Sequence, residues 1–295
     1  MNTPAIQIRG LCKTFPGFAL GPLDLTVPRG AIYGLIGPNG SGKSTTLDLI
    51  FGLGGQDAGT IQAAGFDAST QEVEMKRRMT YSSPDTMFAV WGKVGRAVRF
   101  VKDFYPSWDE ALCERLLDAF RLRREEKIAT LSFGARSKLS LLLAICPQPE
   151  VLVLDEPTTG LDPESRKMLF EVLLRFVADE QRTVLISSHQ LSDLERFADH
   201  IGVLSQGRMI CEGPTCDLVA QHRLIEYSLN IGGRHPEIPG FHRRATASGF
   251  FQAVVDTHMH PQATLSARGL AVHSETELPL EEIFIAMTTT RKEAA

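Results

Sequence analysis

Three short runs in this chain are almost unbroken in apolar character: residues 31–36 (AIYGLI), 151–154 (VLVL) and 183–187 (TVLIS). A strand with one wet face alternates apolar and polar positions. An unbroken run of this length fits a strand covered on both faces, as in the middle of a parallel sheet. Elsewhere the period changes. Leu112, Leu116 and Phe120 recur every four residues, which predicts a helix with one buried stripe. Residues 45–53 read as a helix, and residues from about 72 to 146 as mainly helical. Residues 5–36 read as short strands broken at PGF and VPRG, and residues 60–66 as another strand ending near Gly65. Ser107, with Glu110 three residues on, has the form of a capping box with Ser107 as N-cap. Asp162 followed by Pro163 predicts a helix start, with Asp162 as its cap. Residues 201–212 predict a hairpin around Gln206-Gly207, and residues 280–287 a last helix. Strands alternating with helices imply an α/β fold with a mainly parallel sheet, in which ligands gather at the carboxyl ends of the strands.

Those ends carry the chemistry. The run 31–36 leads into GPNGSGKST, which fits G-x-x-x-x-G-K-[ST] through Gly37, Gly42, Lys43 and Ser44. Gly37, Gly40 and Gly42 let the backbone turn tightly and bring its N–H groups near phosphate oxygens. The helix that follows aims its positive end at the same anions. The loop residues Pro38, Asn39, Ser41 and Thr45 complete the candidate nucleotide cradle. Lys43 can reach the β- and γ-phosphates, and the Ser44 hydroxyl can ligate Mg²⁺. The run 151–154 ends in Asp155-Glu156. Two adjacent carboxylates at a buried strand end need a cation nearby to offset them. Asp155 can hold Mg²⁺ through water, and Glu156 can polarise the water that attacks a γ-phosphate. The run 183–187 ends near His189, a candidate γ-phosphate sensor that donates a hydrogen bond. A nucleoside triphosphate with Mg²⁺ is therefore the expected ligand, and the resemblance given below makes that nucleotide ATP. His200, His222 and His235 have no such context, and His258 and His260 (HMH) read as solvated residues rather than a metal site.

Composition narrows the partners. Of 295 residues, 43% are hydrophobic and 22% charged, ordinary for a globular protein with ample core. The net charge is only −4, so no global field argues for nucleic acid. The basic clusters at 76–78 and 121–124 adjoin acidic residues and read as solvated faces. The five cysteines, Cys12, Cys113, Cys146, Cys211 and Cys216, form no CxxC pair and read as reduced thiols of a cytosolic protein. No apolar stretch approaches the length of a membrane span, so a membrane role has to come through a partner. Gly232-Gly233, Pro236 and Pro239 mark a boundary, giving a main domain over 1–224 and a small accessory domain over 225–295.

The ordered motifs resemble the nucleotide-binding subunit of ABC transporters over nearly all of residues 5–222. They run from the phosphate loop through LSFGA at 131–135, the strand ending at Glu156, a D-loop at 160–162, to His189. The resemblance implies a P-loop NTPase core, an antiparallel β subdomain and a helical subdomain at about 84–146, to which residues 225–295 add a small C-terminal α+β extension read from their own pattern. It implies head-to-tail pairing with a second such subunit, in which Ser132 and the Gly134 backbone bind the partner's γ-phosphate. Phe15 matches the aromatic that stacks on adenine, with Phe18 as its rival. Phe133 and Ala135 depart from the usual LSGGQ. Pro84 stands where a metal-binding Gln is usual, and Asp85 is the candidate substitute. The stretch 104–120 and the tail PLEEIFIAM resemble an exporter branch whose ATPase and permease are separate chains. On that reading the chain is an ATPase at the cytoplasmic face of the membrane, coupled to a permease. The alternatives are an ABC ATPase outside transport and a regulatory module that binds ATP with little turnover.

Overall fold

The computed structural model describes residues 3–83, 89–178, 182–191, 194–230, 235–244 and 250–289. It contains two compact units, Met1–Glu212 and Gly213–Ala295. The division falls earlier than the boundary read at 224/225. The boundary at 224/225 lies inside strand β11 (His222–Leu229), and the division at 212/213 lies near the end of strand β10 (Arg208–Pro214).

In the first unit, β1 (Ile6–Phe15) and β2 (Phe18–Val27) are longer than the turn signals suggested, and they pair antiparallel with two register shifts. β3 (Ile32–Ile36) leads through the Gly-rich loop into α1 (Lys43–Ile50). β4 (Ala58–Ala63), β5 (Phe66–Asp67), α2 (Glu72–Lys76) and β6 (Met79–Ser82) follow. Then come α3 (Val94–Lys102), α4 (Glu110–Ala119) and α5 (Phe133–Ile145). β7 (Val151–Leu154), α6 (Pro163–Val177), β8 (Thr183–Ser188), β9 (His200–Ser205) and β10 (Arg208–Pro214) complete the order. One sheet has the order β2-β1-β4-β5 and is antiparallel. The other has the order β10-β9-β3-β8-β7-β6, and its five strands from β9 to β6 are parallel.

The unbroken apolar runs become the middle of this larger sheet. Every residue of β3, β7 and β8 is buried, as expected for strands covered on both faces. α5 is also buried all round from Leu139 to Ile145, so it is an interior helix rather than an amphipathic one. α6 starts as read, with Asp162 accepting from the Ser165 N–H at 2.9 Å and Pro163 at the first position. α4 corrects the capping-box reading. Its N-cap is Asp109, which accepts from Leu112 N–H at 2.8 Å, while the Ser107 hydroxyl donates to the Pro147 carbonyl at 2.6 Å. β9 and β10 fold back on each other around Gln206-Gly207, both in the left-handed region.

The second unit holds α7 (Thr215–Gln221), β11, β12 (Phe241–Arg244), β13 (Phe251–Asp256), α8 (Gln262–Ala267), β14 (Leu270–Glu277) and α9 (Leu280–Thr289). Its antiparallel sheet has the order β12-β13-β11-β14, with a core that includes Tyr227, Phe241, Val255 and Leu265. His258 is exposed, as read. His260 is not: it is buried, and its Nε2 lies 2.6 Å from the Pro239 carbonyl, the distance of a ring N–H donated to that oxygen. No group of three metal-ligating side chains occurs among the described residues.

Candidate functional site

The site grows from the carboxyl ends of β3, β7 and β8. Gly37 ends β3 so tightly that a Cβ there would lie 2.2 Å from the Leu204 carbonyl oxygen and 2.5 Å from Ser41 Oγ. Only glycine fits this approach of the loop to β9. Gly42, at φ +106°, caps α1 without a side-chain bond, so the first N–H groups of the helix are left for an anion. Lys43 is 5% exposed, and its ammonium donates to the Gly37 carbonyl at 2.8 Å and the Pro38 carbonyl at 3.3 Å. Ser41 Oγ is buried with no hydrogen-bond partner among the described residues. A buried hydroxyl in a glycine cradle beneath an uncapped helix is what a phosphate-binding loop presents, and the residues therefore fit nucleotide phosphate.

The acidic wall lies opposite. Asp155 is 5% exposed at the end of β7, and its backbone N–H donates to the Ser82 carbonyl at 2.8 Å. Glu156 bends away with φ +43°, a left-handed conformation that ordinary residues avoid. Its Oε1 is 3.3 Å from the Lys43 ammonium, and its Oε2 is 2.7 Å from Nδ1 of His189. One carboxylate thus touches both the loop lysine and the histidine that follows β8. A cavity of about 560 Å³ joins these groups, lined by Phe18, Asn39, Gly40, Gly42, Lys43, Ser44, Thr45, Asp155, Glu156, Thr159 and His189. The exposed Ser44 hydroxyl and the Asp155 carboxylate are oxygen donors on its two walls, a set that suits a hard divalent cation.

Other residues fall outside this lining. Phe15 is 42% exposed, and its ring centroid is 6.5 Å from that of Phe18. Phe18 is the aromatic that lines the cavity, because the tight turn between β1 and β2 puts it over Gly42. Ser132 is exposed and caps α5, accepting from the Ala135 N–H at 3.2 Å. Neither Ser132 nor Gly134 lines the cavity. Gly134 instead meets the loop before α6. A Cβ on it would lie 2.4 Å from the Gly160 carbonyl oxygen, and one on Gly160 would lie 2.8 Å from the Phe133 ring. Lys138 closes the same contact with a 2.7 Å ion pair to Asp162. Pro84 and Asp85 lie outside the described residues.

No motif marks Ser187, yet its hydroxyl donates to Asp155 Oδ1 at 2.5 Å and accepts from the Glu156 N–H at 2.9 Å. A polar residue ending an apolar strand was its one visible signal.

Fold and site together define a P-loop ATPase domain. A family model described as ABC transporter matches residues 20–159. The chain is 33% identical to the daunorubicin/doxorubicin resistance ATP-binding protein DrrA of Streptomyces peucetius, over 97% of this chain and 93% of that protein. It is 30% identical to the ABC transporter ATP-binding protein YtrB of Bacillus subtilis, over 95% of this chain and 97% of that one. It is 32% identical to a Nod factor export ATP-binding protein I of Burkholderia lata, over 98% of both chains. The solved ATP-binding subunit of an ABC transporter superposes with a TM-score of 0.67 at 29% identity, covering 74% of this chain and 93% of that one. A dimeric ATP-binding cassette in a post-hydrolysis state, bound to ADP and Pi, shares the fold with a TM-score of 0.62 at 17% identity, covering 71% of this chain and 98% of that chain. The chain belongs to the ABC transporter family and is an ATP-binding ATPase of that family. No described helix is long and apolar enough to cross a membrane.

Proposed function

We propose that this chain is the ATP-hydrolysing subunit of an exporter, working as an ATP-dependent dimer at the cytoplasmic face of the membrane and driving a separate permease. The observation that carries the reading is the convergence of Lys43, Ser44, Asp155, Glu156 and His189 on one cavity. The names of the relatives, a drug-resistance ATP-binding protein and a Nod factor export ATP-binding protein, support the exporter branch.

In this reading the backbone of residues 37–45 grips the phosphates, and Lys43 neutralises charge on the β- and γ-phosphates. Ser44 would hold Mg²⁺ directly and Asp155 would hold it through water; bound there, the metal would offset phosphate charge. Glu156 accepts the proton of the attacking water, and His189 beside it donates a hydrogen bond to the γ-phosphate. Phe15, or Phe18 beside it, carries the adenine. Ser132 and Gly134 serve the site of the second subunit, which their position outside their own cavity supports. Closure on ATP and parting after hydrolysis would move the permease between access states.

The test is Glu156→Gln. Loss of a general base costs about 10²–10⁴-fold in turnover. ATP binding should persist, and the ATP-bound dimer should accumulate on size-exclusion chromatography. Hydrolysis at the wild-type rate removes Glu156 from the mechanism, and full ATP affinity in Lys43→Ala removes the loop. Co-purification with a multi-span membrane protein tests the permease partnership.

A further inference from the structure

The end of β8 carries a polar group that the reading above does not use. Ser187 is fully buried, following Val184, Leu185 and Ile186 in a strand buried throughout. β7 and β8 run parallel with Leu154 opposite Ile186, which brings the next residue of each strand, Asp155 and Ser187, side by side. A hydroxyl at zero exposure costs free energy unless its bonds are made. Here both are made, and their direction is fixed. The Glu156 N–H can only donate, so Ser187 Oγ accepts from it at 2.9 Å. The single hydroxyl proton is then left for Asp155 Oδ1 at 2.5 Å. One oxygen therefore fixes the orientation of the Asp155 carboxylate and the main chain of Glu156.

That second contact matters because of where Glu156 sits. Its φ of +43° is strained for a residue with a side chain. The surroundings hold it from both sides: Ser187 takes its N–H, and its carbonyl accepts from the Thr159 N–H at 3.1 Å. The direction in which the Glu156 side chain leaves the backbone follows from that conformation. So does its reach to Lys43 and His189.

We propose that Ser187 is a positioning residue for ATP hydrolysis, its buried hydroxyl holding the carboxylate of Asp155 and the backbone of Glu156 in one arrangement. The inference rests on the roles given above to Asp155 and Glu156. Ser187 touches neither nucleotide nor metal in this account; it acts through the two carboxylate residues. It should therefore affect the chemical step more than ATP capture, which belongs to the loop at residues 37–45.

The experiment is steady-state hydrolysis of MgATP by full-length Ser187→Ala and Ser187→Thr, with thermal melts of each. A hydrogen bond to a charged group and a displacement of catalytic atoms each translate into about tenfold to a hundredfold in rate. Ser187→Ala should lose that much in kcat with KM for ATP within about twofold of wild type, and Ser187→Thr, which keeps the hydroxyl, should recover the rate. A wild-type kcat in Ser187→Ala overturns the proposal. So does equal loss in both variants, or a loss of kcat, ATP affinity and melting temperature together. Glu156→Gln in the same assay separates two failures. If Glu156→Gln is inactive while Ser187→Ala is normal, only the role of Ser187 falls. If Glu156→Gln turns over normally, the site reading itself falls.

Discussion

Gly134→Ala adds one methyl group where α5 begins, and the structure sets its cost. The new Cβ would lie 2.4 Å from the Gly160 carbonyl oxygen. Carbon–oxygen contacts settle at about 3.3 Å or more, so the two backbones must part by about 1 Å. Neither neighbour is a flexible side-chain tip. A Cβ on Gly160 would itself lie 2.8 Å from the Phe133 ring, and the Lys138–Asp162 pair ties the two segments together. Overpacking of this kind costs about 1–3 kcal/mol. In a domain of this size each kcal/mol lowers the melting temperature by about 2–4 °C, so calorimetry should show a fall of about 2–12 °C. Turnover should fall further than stability suggests, because a 1 Å misplacement of positioning groups costs about 10²-fold. ATP binding by the isolated protomer should survive, since Gly134 does not line the cavity. The assay is calorimetry beside MgATP turnover and equilibrium nucleotide binding. A variant that melts and turns over like wild type would show that the contact yields freely, and the packing argument would be wrong.

The two aromatics can be separated. Phe15→Ala should weaken ATP binding by the about 1–3 kcal/mol of a base–aromatic stack and leave the melting temperature unchanged, whereas Phe18→Ala, which packs on the core, should lower it. Unchanged affinity in Phe15→Ala would move the adenine contact to Phe18. Asp162 gives a pH test. The bond from Lys138, then the Ser165 N–H and hydroxyl, hold its carboxyl well below the usual carboxylate range. Its folded pKa is depressed, so its charge stabilises the fold above the unfolded value and that contribution fades as pH falls toward the folded one. Asp162→Asn keeps a helix cap and loses the charge, so its melting-temperature deficit should be present at neutral pH and shrink in acid; a deficit that grows in acid would contradict the assignment.

The sequence made the parallel strands legible because β3, β7 and β8 are buried on both faces, which leaves no alternation to blur the pattern. The Asp162-Pro163 start was legible because cap and proline act locally. Ser107 misled for the same reason. Two local caps competed, and a contact to Pro147, distant in sequence, took the Ser107 hydroxyl and left the helix to Asp109. The burial of His260 and the pairing of Ser187 with Asp155 depend on segments 21 and 32 residues away, which no local pattern encodes. The site's outline was written in short motifs, while the contacts that fix its geometry arise from strand neighbours.

Glu156 stands in a left-handed backbone conformation. Asn and Gly enter that region at little cost, whereas a glutamate there forfeits about 1 kcal/mol or more. The position is therefore one where folding and chemistry ask for different amino acids. A screen that rewards heat resistance alone would favour Gly or Asn at residue 156, and on the role proposed for Glu156 its winners would have lost most of their turnover. A descendant released from the need to hydrolyse ATP should drift the same way. Retention of glutamate at this backbone position is thus a readable sign that turnover, and not only nucleotide binding, has been under selection.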